Sequence, residues 1–331
     1  MIGLLRKIIP ANFKRGLIYC LSPLFAKIRI KRWKGLPQLV IIENTNKCNA
    51  RCIICPNDKM RREKGIMTFD LYKHVIHECV LSHIDRIVLA GTGEPFIDPQ
   101  IIEKIKYAKE NGIKEVGVFT NVSLLNNRIQ DHLLSCGVDT VCLSIDGFTQ
   151  ETYERVRRDL AFDRVKNNTL GLLNKRRQLG LKKPYVVVVA FDLSETQGRL
   201  NSNEFYRELN QLSDRVIVTK PYGLHSWSGG VEGIAAVPYT NVKQPCRRLW
   251  DSFSVLWNGD CSLCCVDYEG SFLLGNINEQ SIPDMFNSKK IDEVRRHHMR
   301  CAFDKVQLCE KCYERPPWVQ KNFERTLDLF E

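Results

Sequence analysis

Apolar runs alternate with amphipathic segments along the chain, and this alternation predicts its architecture. The run Leu39–Ile42 has the length and composition of a buried strand, and residues 185–190 form a second continuous apolar run. Four more strands are predicted at 86–90, 115–120, 140–145 and 216–219. Segments with helical spacing of apolar residues separate them. Six such strand–helix units predict a parallel sheet with helices outside it.

One predicted helix shows both a cap and a buried face. Thr68 stands where a side-chain oxygen can accept a free backbone N–H of the first turn. The apolar residues after it recur at helical spacing and predict one buried face, formed by Tyr72, Val75, Ile76, Cys79 and Val80. Four cysteines that fall within apolar patterns are expected to be packing residues: Cys20, Cys79, Cys136 and Cys142.

Polar motifs stand directly after the predicted strands. A cysteine-rich loop follows the first strand, residues 91–95 follow the second, Asn121 follows the third, and Ser144 ends the fourth. Barrel enzymes place their active sites at the carboxyl edge of the strands. The motifs and the strand pattern thus predict the same site.

Three cysteines, Cys48, Cys52 and Cys55, have the spacing C-x3-C-x2-C. Thiolates bind soft metals and iron–sulfur clusters, and three of them leave one iron of a four-iron cubane with an open position. Structural zinc is the alternative, but it takes four ligands, usually from C-x2-C pairs. The triplet therefore favours a cluster whose open iron binds a small chelating molecule.

Composition places these cysteines in a reducing compartment. The chain has 331 residues and 14 cysteines, and their grouping into a triplet and a C-terminal set predicts metal clusters rather than disulfides. The N-terminal apolar runs are short and lack a small-residue cleavage site, so no signal peptide is expected. No stretch approaches the roughly 18 apolar residues of a membrane span. We expect a cytoplasmic protein.

The charge of the N-terminal segment indicates that the protein could also associate with a membrane surface. The net charge is +11, and residues 1–42 hold nine Lys or Arg with no Asp or Glu. Apolar residues interleave with them, which is typical of a basic amphipathic segment on an anionic membrane surface. A helix packed on the barrel with its basic face in water is the alternative. No binding motif accompanies the charge, so no nucleic-acid partner is expected.

The cysteine triplet matches the pattern C-x3-C-x-Φ-C, formed by Cys48, Cys52 and Cys55 with Ile54 at the apolar position Φ. Through this motif the chain resembles radical S-adenosylmethionine (SAM) enzymes over roughly residues 37–220. The resemblance implies an α/β fold with a partial (β/α)6 TIM barrel. It also implies a [4Fe-4S] cluster coordinated by the three cysteines and by SAM. A reductant such as flavodoxin or ferredoxin would supply the electron.

The other strand-end motifs resemble SAM-binding elements of that family. Residues 91–95 resemble its GGEP motif, with Thr92 as a departure, and this implies that Gly91, Gly93, Glu94 and Pro95 bind the SAM amine edge. Asn121 and Ser144 are candidates for the ribose hydroxyls, and the Ser144–Gly147 stretch, with Asp146, resembles SPASM-type members. Ordinary strand-end turns remain the alternative for both motifs.

Arg157 is a candidate for the SAM carboxylate, because a guanidinium matches a carboxylate with two hydrogen bonds. Arg155 or Arg158 could take its place. A solvated helix face is the other interpretation of this segment.

The C-terminal cysteines resemble a second domain type. Cys246, Gly259 and Cys264 fit the opening of SPASM domains, and Cys309 with Cys312 forms a C-x2-C pair. The remaining two-cluster pattern is absent, so the set resembles the shorter Twitch version. The resemblance implies one auxiliary [4Fe-4S] cluster held by Cys246, Cys264, Cys309 and Cys312. Cys265 is an alternative to Cys264, and structural zinc an alternative to the cluster.

The resemblance implies a radical SAM oxidoreductase. SAM would be cleaved to a 5′-deoxyadenosyl radical that removes a substrate hydrogen. A fully ligated second cluster suits electron acceptance, as in Twitch dehydrogenases, so we expect oxidation of an alcohol to a ketone on a sugar, cyclitol or glycolipid-like small molecule. A peptide-modifying enzyme is one alternative, and a non-catalytic iron–sulfur or zinc protein is another.

Substrate residues are expected after the sixth strand. Lys220, Tyr222 and His225 are candidates for deprotonating a substrate hydroxyl. The predicted divisions are a basic arm at 1–36, the core at 37–222, a linker or substrate segment at 223–245, and the cluster domain at 246–331.

Overall fold

The computed structural model describes residues 22–191, 197–219, 227, 230–231, 244–310 and 312. Its strands are β1 (Leu39–Ile42), β2 (Arg51–Cys52), β3 (Arg86–Leu89), β4 (Glu115–Thr120), β5 (Thr140–Ser144), β6 (Arg157–Arg158), β7 (Tyr185–Phe191), β8 (Arg215–Thr219), β9 (Ser252–Val255), β10 (Asp260–Ser262) and β11 (Leu273–Asn276). Its helices are α1 (22–31), α2 (Phe69–Leu81), α3 (Ile101–Glu110), α4 (Asn127–Ser135), α5 (Gln150–Val156), α6 (Phe162–Gln178), α7 (Glu204–Leu212), α8 (Arg248–Asp251), α9 (Ile282–Phe286), α10 (Lys289–Met299) and α11 (Gln307–Glu310).

The six predicted strands form one parallel sheet in the order β1-β3-β4-β5-β7-β8, with helices between consecutive strands. This confirms the predicted α/β architecture. The strand order rises steadily along the chain, so each polar motif after a strand lies beside its neighbour at the carboxyl edge of the sheet.

The sheet continues past β1 into the C-terminal part of the chain. β9 pairs with β1 in parallel, with Leu39 opposite Ser252 and Ile42 opposite Val255. β10 then pairs antiparallel with β9 and with β11. The sheet therefore places the C-terminal cysteine segment beside the cysteine loop that follows β1.

Each strand presents two apolar faces. Val40 and Ile42 belong to the large core, which also contains Tyr72 and Val75 of α2. Ile41 packs on the opposite face with Val88 of β3. Burial on both faces explains the continuous apolar runs of these strands. The inner face becomes the apolar wall of the site described below.

The cap and buried face of α2 match the prediction except at one residue. Thr68 Oγ1 accepts the backbone N–H of Leu71 at 3.2 Å. Tyr72, Val75, Ile76 and Cys79 are buried, whereas Val80 is 39% exposed, so its assignment to the buried face was wrong. The stripe that faces the sheet is thus narrower than the sequence pattern indicated.

Helix α1 covers the last part of the basic N-terminal segment, and residues 1–21 lie outside the described residues. Ala26 is buried, and the ring of Trp33, just after the helix, lies 5.8 Å from that of Phe286. The opposite side exposes Leu24, Phe25 and Ile28. Among the described helices, none has both the length and the apolar character needed to cross a membrane.

Candidate active site

The three motif cysteines line one cavity at the carboxyl edge of the sheet. Cys48, Cys52 and Cys55 share this main cavity, of ≈ 240 Å³, with the 91–95 loop and with Asn121, Ser144 and Arg157. Ile41, Val88 and Phe119 supply its apolar floor from the inner face of the strands. The structure thus brings together the residues that four separate strand-end motifs had indicated.

Backbone pairing and one amide hold the cysteine loop. Cys52 in β2 pairs antiparallel with Arg157 in β6. Asn57 Nδ2 donates to the carbonyl oxygens of Asn46, at 2.7 Å, and of Thr92, at 2.6 Å. The loop is therefore tied to the neighbouring strand ends before any cofactor binds.

Burial disfavours the thiolate form of these cysteines. It raises the pKa of Cys48 to about 11 and that of Cys55 to about 12. Burial also raises the pKa of Cys52, although the Arg157 guanidinium, with Nη1 3.9 Å from Sγ, opposes that shift. Because metal ligands are thiolates, loading this site releases protons.

The two glycines of the 91–95 loop are needed for packing. A Cβ on Gly93 would lie 2.2 Å from the carbonyl oxygen of Thr45, and one on Gly91 would lie 2.9 Å from Glu43 Cγ. The loop therefore lies directly against the segment that follows β1. Gly93 is required by the backbone of this segment and Gly91 by the Glu43 side chain.

Glu94 ties three segments of the cavity wall together. Its Oε1 accepts from Thr120 Oγ1 at 2.8 Å and from the backbone N–H of Phe96, and its Oε2 accepts from the backbone N–H of Asn121 at 2.7 Å. Burial raises the pKa of Glu94 to about 6, while these hydrogen bonds act to lower it. The carboxylate therefore fixes the end of β4 besides lining the cavity.

Asn121 belongs to a small network of side chains. Its Nδ2 donates to Asn49 Oδ1 at 2.9 Å, and its Oδ1 accepts from Ser123 Oγ at 2.6 Å. Asn49 Nδ2 in turn donates to Ser123 Oγ at 2.9 Å. Asn49 and Ser123 were not singled out from the sequence. The network links the cysteine loop to β4 and orients Asn121.

Arg157 is the inward-facing member of the three candidate arginines. It is buried and lines the main cavity, whereas Arg155 and Arg158 are exposed. Asp146 pairs with its guanidinium, with Nη2 2.6 Å from Oδ2. Asp146 thus contacts Arg157, while Ser144 lines the cavity itself.

A buried acid beside the cavity was also missed by sequence reasoning. Glu43 Oε2 lies 2.5 Å from Arg62 Nη2 and accepts from Thr92 Oγ1 at 3.1 Å. Arg62 Nε donates to the carbonyl oxygen of Tyr268. These contacts join the core to the C-terminal part, and they give a hydrogen-bond partner to Thr92, which stands at the first glycine position of the GGEP motif.

The C-terminal cysteines surround a second, smaller cavity. Its lining includes Cys246, Cys264, Cys309 and Cys312, together with His298 of α10. The adjacent Cys265 lines the main cavity instead. Cys261 is fully buried in β10. The structure therefore brings together the four cysteines that the sequence pattern had grouped.

The cysteine thiols at the two sites, and the cavities that they line, fit iron–sulfur clusters. Each set consists of thiols, which suit iron–sulfur clusters, and each lines a cavity. Within the described ranges, no three His, Cys, Asp or Glu side chains are close enough to bind one metal ion. The main cavity, of ≈ 240 Å³, gives its three thiols space for a group larger than a single ion.

The main cavity and the second cavity share a wall. Arg248 and Val266 line both. Trp227 also lines the main cavity, and its Nε1 donates to the carbonyl oxygen of Ile54 at 3.1 Å. The three base candidates, Lys220, Tyr222 and His225, lie outside the described residues.

Two family models match the chain. The model of the radical SAM superfamily matches residues 42–186, and that of the SPASM iron–sulfur cluster-binding domain matches residues 246–313. The matched segments are the ones that contain the two groups of cysteines lining the two cavities.

Curated relatives match only part of the chain. A tungsten-containing aldehyde ferredoxin oxidoreductase cofactor-modifying protein of Pyrococcus furiosus is 26% identical over 152 residues, 44% of this chain and 41% of the relative. An AdoMet-dependent heme synthase of Methanosarcina barkeri is 33% identical over 122 residues, 37% of this chain and 34% of the relative. The chain spans about half the length of these relatives, or less.

Solved structures share the fold over most of the chain. BtrN in complex with AdoMet and 2-DOIA has a TM-score of 0.60 at 17% identity, covering 86% of this chain and 98% of BtrN. Streptococcus suis SuiB bound to the precursor peptide SuiA has a TM-score of 0.65 at 14% identity, covering 89% and 79%. At these identities the likeness concerns the fold alone.

Proposed function

The chain belongs to the radical SAM superfamily and carries a C-terminal SPASM domain, and from this membership we propose that it oxidises an alcohol group on a small molecule to a ketone. Its cofactors are SAM, the [4Fe-4S] cluster that binds SAM, and an auxiliary iron–sulfur cluster. When bound, they supply a 5′-deoxyadenosyl radical and an acceptor for one electron. Enzymes of this superfamily act on a substrate and need a reductant; flavodoxin or ferredoxin is the proposed donor.

The cysteines divide between the two clusters. We assign Cys48, Cys52 and Cys55 to the cluster that binds SAM. Cys246, Cys264, Cys309 and Cys312 are assigned to the auxiliary cluster, because these four line the second cavity while Cys265 lines the main one. Four protein thiolates leave that cluster no position for SAM, which suits a role in electron transfer.

The protein's own groups bind and orient SAM in this proposal. Arg157, held by Asp146, offers guanidinium donors on the wall of the main cavity to the SAM carboxylate. Ser144 and Asn121 offer hydroxyl and amide groups to the ribose. The apolar Ile41 and Val88 keep water from the reacting centre.

One observation carries the oxidative part of the proposal. Arg248 and Val266 line both cavities, so the two sites share a wall. A hydroxyl-bearing substrate in the main cavity is therefore next to the site of the electron acceptor. This adjacency favours net oxidation over a redox-neutral outcome.

Two solved structures with bound ligands bear on the substrate class. BtrN was solved with 2-DOIA, and SuiB with a precursor peptide, so the shared fold accommodates both kinds of ligand. We propose a sugar, cyclitol or glycolipid-like substrate, because the match covers 98% of BtrN and 79% of SuiB. Lys220, Tyr222 and His225 remain the proposed bases for the hydroxyl proton.

An anaerobic screen tests the function. The reconstituted protein is given SAM, a reductant, and candidate sugars and cyclitols deuterated on their hydroxyl-bearing carbons. We expect deuterium in 5′-deoxyadenosine together with a ketone product for one substrate class. Deuterium transfer only from peptides would replace the small-molecule proposal. Absence of SAM cleavage with both clusters loaded would contradict the enzymatic assignment.

We also propose that α1 contacts an anionic membrane surface. One side of the helix packs on the protein through Ala26, while Leu24 is 55% exposed and Ile28 42% exposed. Lys27 and Lys31 are exposed beside them. Apolar residues flanked by lysines match the interfacial type of amphipathic helix. Packing of α1 on the rest of the protein accounts for its buried side but not for its exposed apolar side.

A further inference from the structure

His298 lies on the wall of the second cavity. It belongs to α10, is 1% exposed, and lines that cavity together with the four assigned cysteines. The ring of Phe303 packs edge-on against its imidazole, with centroids 5.0 Å apart. A polar ring is therefore held rigidly beside four thiols in an otherwise largely apolar site.

One hydrogen bond determines where the proton of this imidazole lies. His298 Nδ1 accepts the backbone N–H of Cys246 at 3.2 Å. A ring nitrogen that accepts a hydrogen bond carries no proton, so the ring is neutral and its proton is on Nε2. Nε2 is itself shielded from solvent. The contact thus fixes His298 as a donor through Nε2 and anchors it to a proposed cluster ligand.

We propose that His298 is a positioning residue that donates its Nε2–H to a sulfur of the auxiliary cluster and thereby raises the reduction potential of that cluster. The inference rests on the four-cysteine assignment made above. Reduction adds negative charge to the cluster, and a hydrogen bond to its sulfur stabilises the more negative state. A higher potential makes the cluster a better acceptor for the electron of an oxidised substrate.

The test uses the auxiliary cluster alone. In a Cys52→Ala background only that cluster should remain, so an EPR-monitored redox titration reads its midpoint potential directly. His298→Asn keeps an acceptor near the Nδ1 position and removes the donor at Nε2. His298→Gln places an amide N–H near the Nε2 position. The two variants therefore separate the two hydrogen bonds of the ring.

We expect His298→Asn to lower the midpoint potential and His298→Gln to restore most of it. A tenfold change in the reduction equilibrium would correspond to about 59 mV for a one-electron couple. His298→Phe keeps the packing against Phe303 and should lower the potential as the Asn variant does. This variant serves as a second measurement if His298→Asn loads poorly.

Three results would overturn the inference. Equal potentials in all variants with the cluster intact would show that Nε2–H has no effect. A parental potential in His298→Asn with a lowered potential in His298→Gln would assign the effect to the Nδ1 contact. A Cys52→Ala parent that holds no cluster would contradict the ligand assignment itself, which separates a failure of the proposed function from a failure of the His298 role.

Discussion

Asp146 Oδ2 accepts the Nε–H of Arg157 at 2.7 Å, and this pair lies almost completely buried behind the cysteine loop. A second ion pair, between Arg51 of β2 and Asp159 just after β6, lies at the surface, with side chains 67% and 42% exposed. The chain thus offers a buried and an exposed Arg–Asp pair, one in β6 and the other directly after it.

The first prediction uses this contrast. Asp146→Asn leaves the Arg157 guanidinium buried without its counter-ion, and breaking a buried pair in this way costs about 3–5 kcal/mol of unfolding free energy. Asp159→Asn removes an exposed partner and should change stability little. Urea denaturation of the reduced apoprotein measures both. Equal losses in the two variants would contradict the role given to Asp146.

The second prediction concerns the first cluster. Cys52→Ala should lower iron after anaerobic reconstitution from about eight to about four per chain, on a count of two cubanes. SAM cleavage should disappear with it. Cys142→Ala is the matched control, because Cys142 is fully buried within the strands and lines neither cavity. Unchanged iron with retained SAM cleavage in Cys52→Ala would be incompatible with the assignment.

Sequence patterns located the strands and the cysteines but not the contacts across the sheet. The bounds of β1 and β4 match the prediction, and burial on both faces makes β1 continuously apolar. The pairing of β9 with β1 joins residues more than two hundred positions apart, and no local pattern encodes it. Likewise, only tertiary packing decides that Arg157 points inward while Arg155 and Arg158 point outward.

In the site, too, the sequence indicates what local spacing determines and misses what tertiary contacts determine. The spacing of Cys48, Cys52 and Cys55 fixes their proximity locally, so the sequence sufficed. The partners of Glu94 on β4 and the role of Glu43 depend on how separate loops meet. His298 lies in a helix whose pattern gives no sign of the cavity beside it. A lone histidine carries no spacing signal, which is why it was not singled out.

The third prediction follows from the pKa of Glu94. Burial raises that pKa to about 6 from an ordinary value of 4.5, so between these pH values the folded state binds more protons than the unfolded state. Stability should therefore fall as pH rises through this window, by about 2 kcal/mol. Glu94→Gln should lack this contribution.

The measurement compares unfolding free energies of the two apoproteins from pH 4 to pH 7 by urea denaturation. The Gln amide does not titrate, so any free-energy cost of the substitution itself is a constant difference between the two curves of unfolding free energy against pH. A constant difference between the two curves across the window would show that Glu94 is not destabilised by its burial.

The fourth prediction concerns α1. Leu24→Ser with Ile28→Ser should reduce flotation with anionic liposomes, because the two exposed apolar side chains would insert into the interface. Leu81→Ser with Leu179→Ser removes equally exposed leucines elsewhere, 61% and 60% exposed, and should leave flotation unchanged. Binding should also weaken with salt. If the substitutions in α1 leave flotation unchanged, α1 is only a packed helix and does not contact the membrane.

The fifth prediction separates an electron-accepting cluster from a structural metal. Cys309→Ala with Cys312→Ala removes two of the four proposed auxiliary ligands. If the auxiliary cluster takes the substrate electron, the first half-reaction should survive, and 5′-deoxyadenosine should still form with deuterium from the substrate. Ketone product should fall sharply, because the substrate radical has lost the acceptor across the Arg248 and Val266 wall.

Folding is the confounding factor in that experiment, since a metal site in a small domain can contribute to its stability. The double variant must therefore first show the circular dichroism of the parent and retain the iron of the first cluster. Cys265→Ala is the matched control: Cys265 lines the main cavity beside the same loop, so the auxiliary cluster should load normally. Undiminished ketone formation in a folded Cys309→Ala, Cys312→Ala variant would rule out electron acceptance and leave a structural role for the second site.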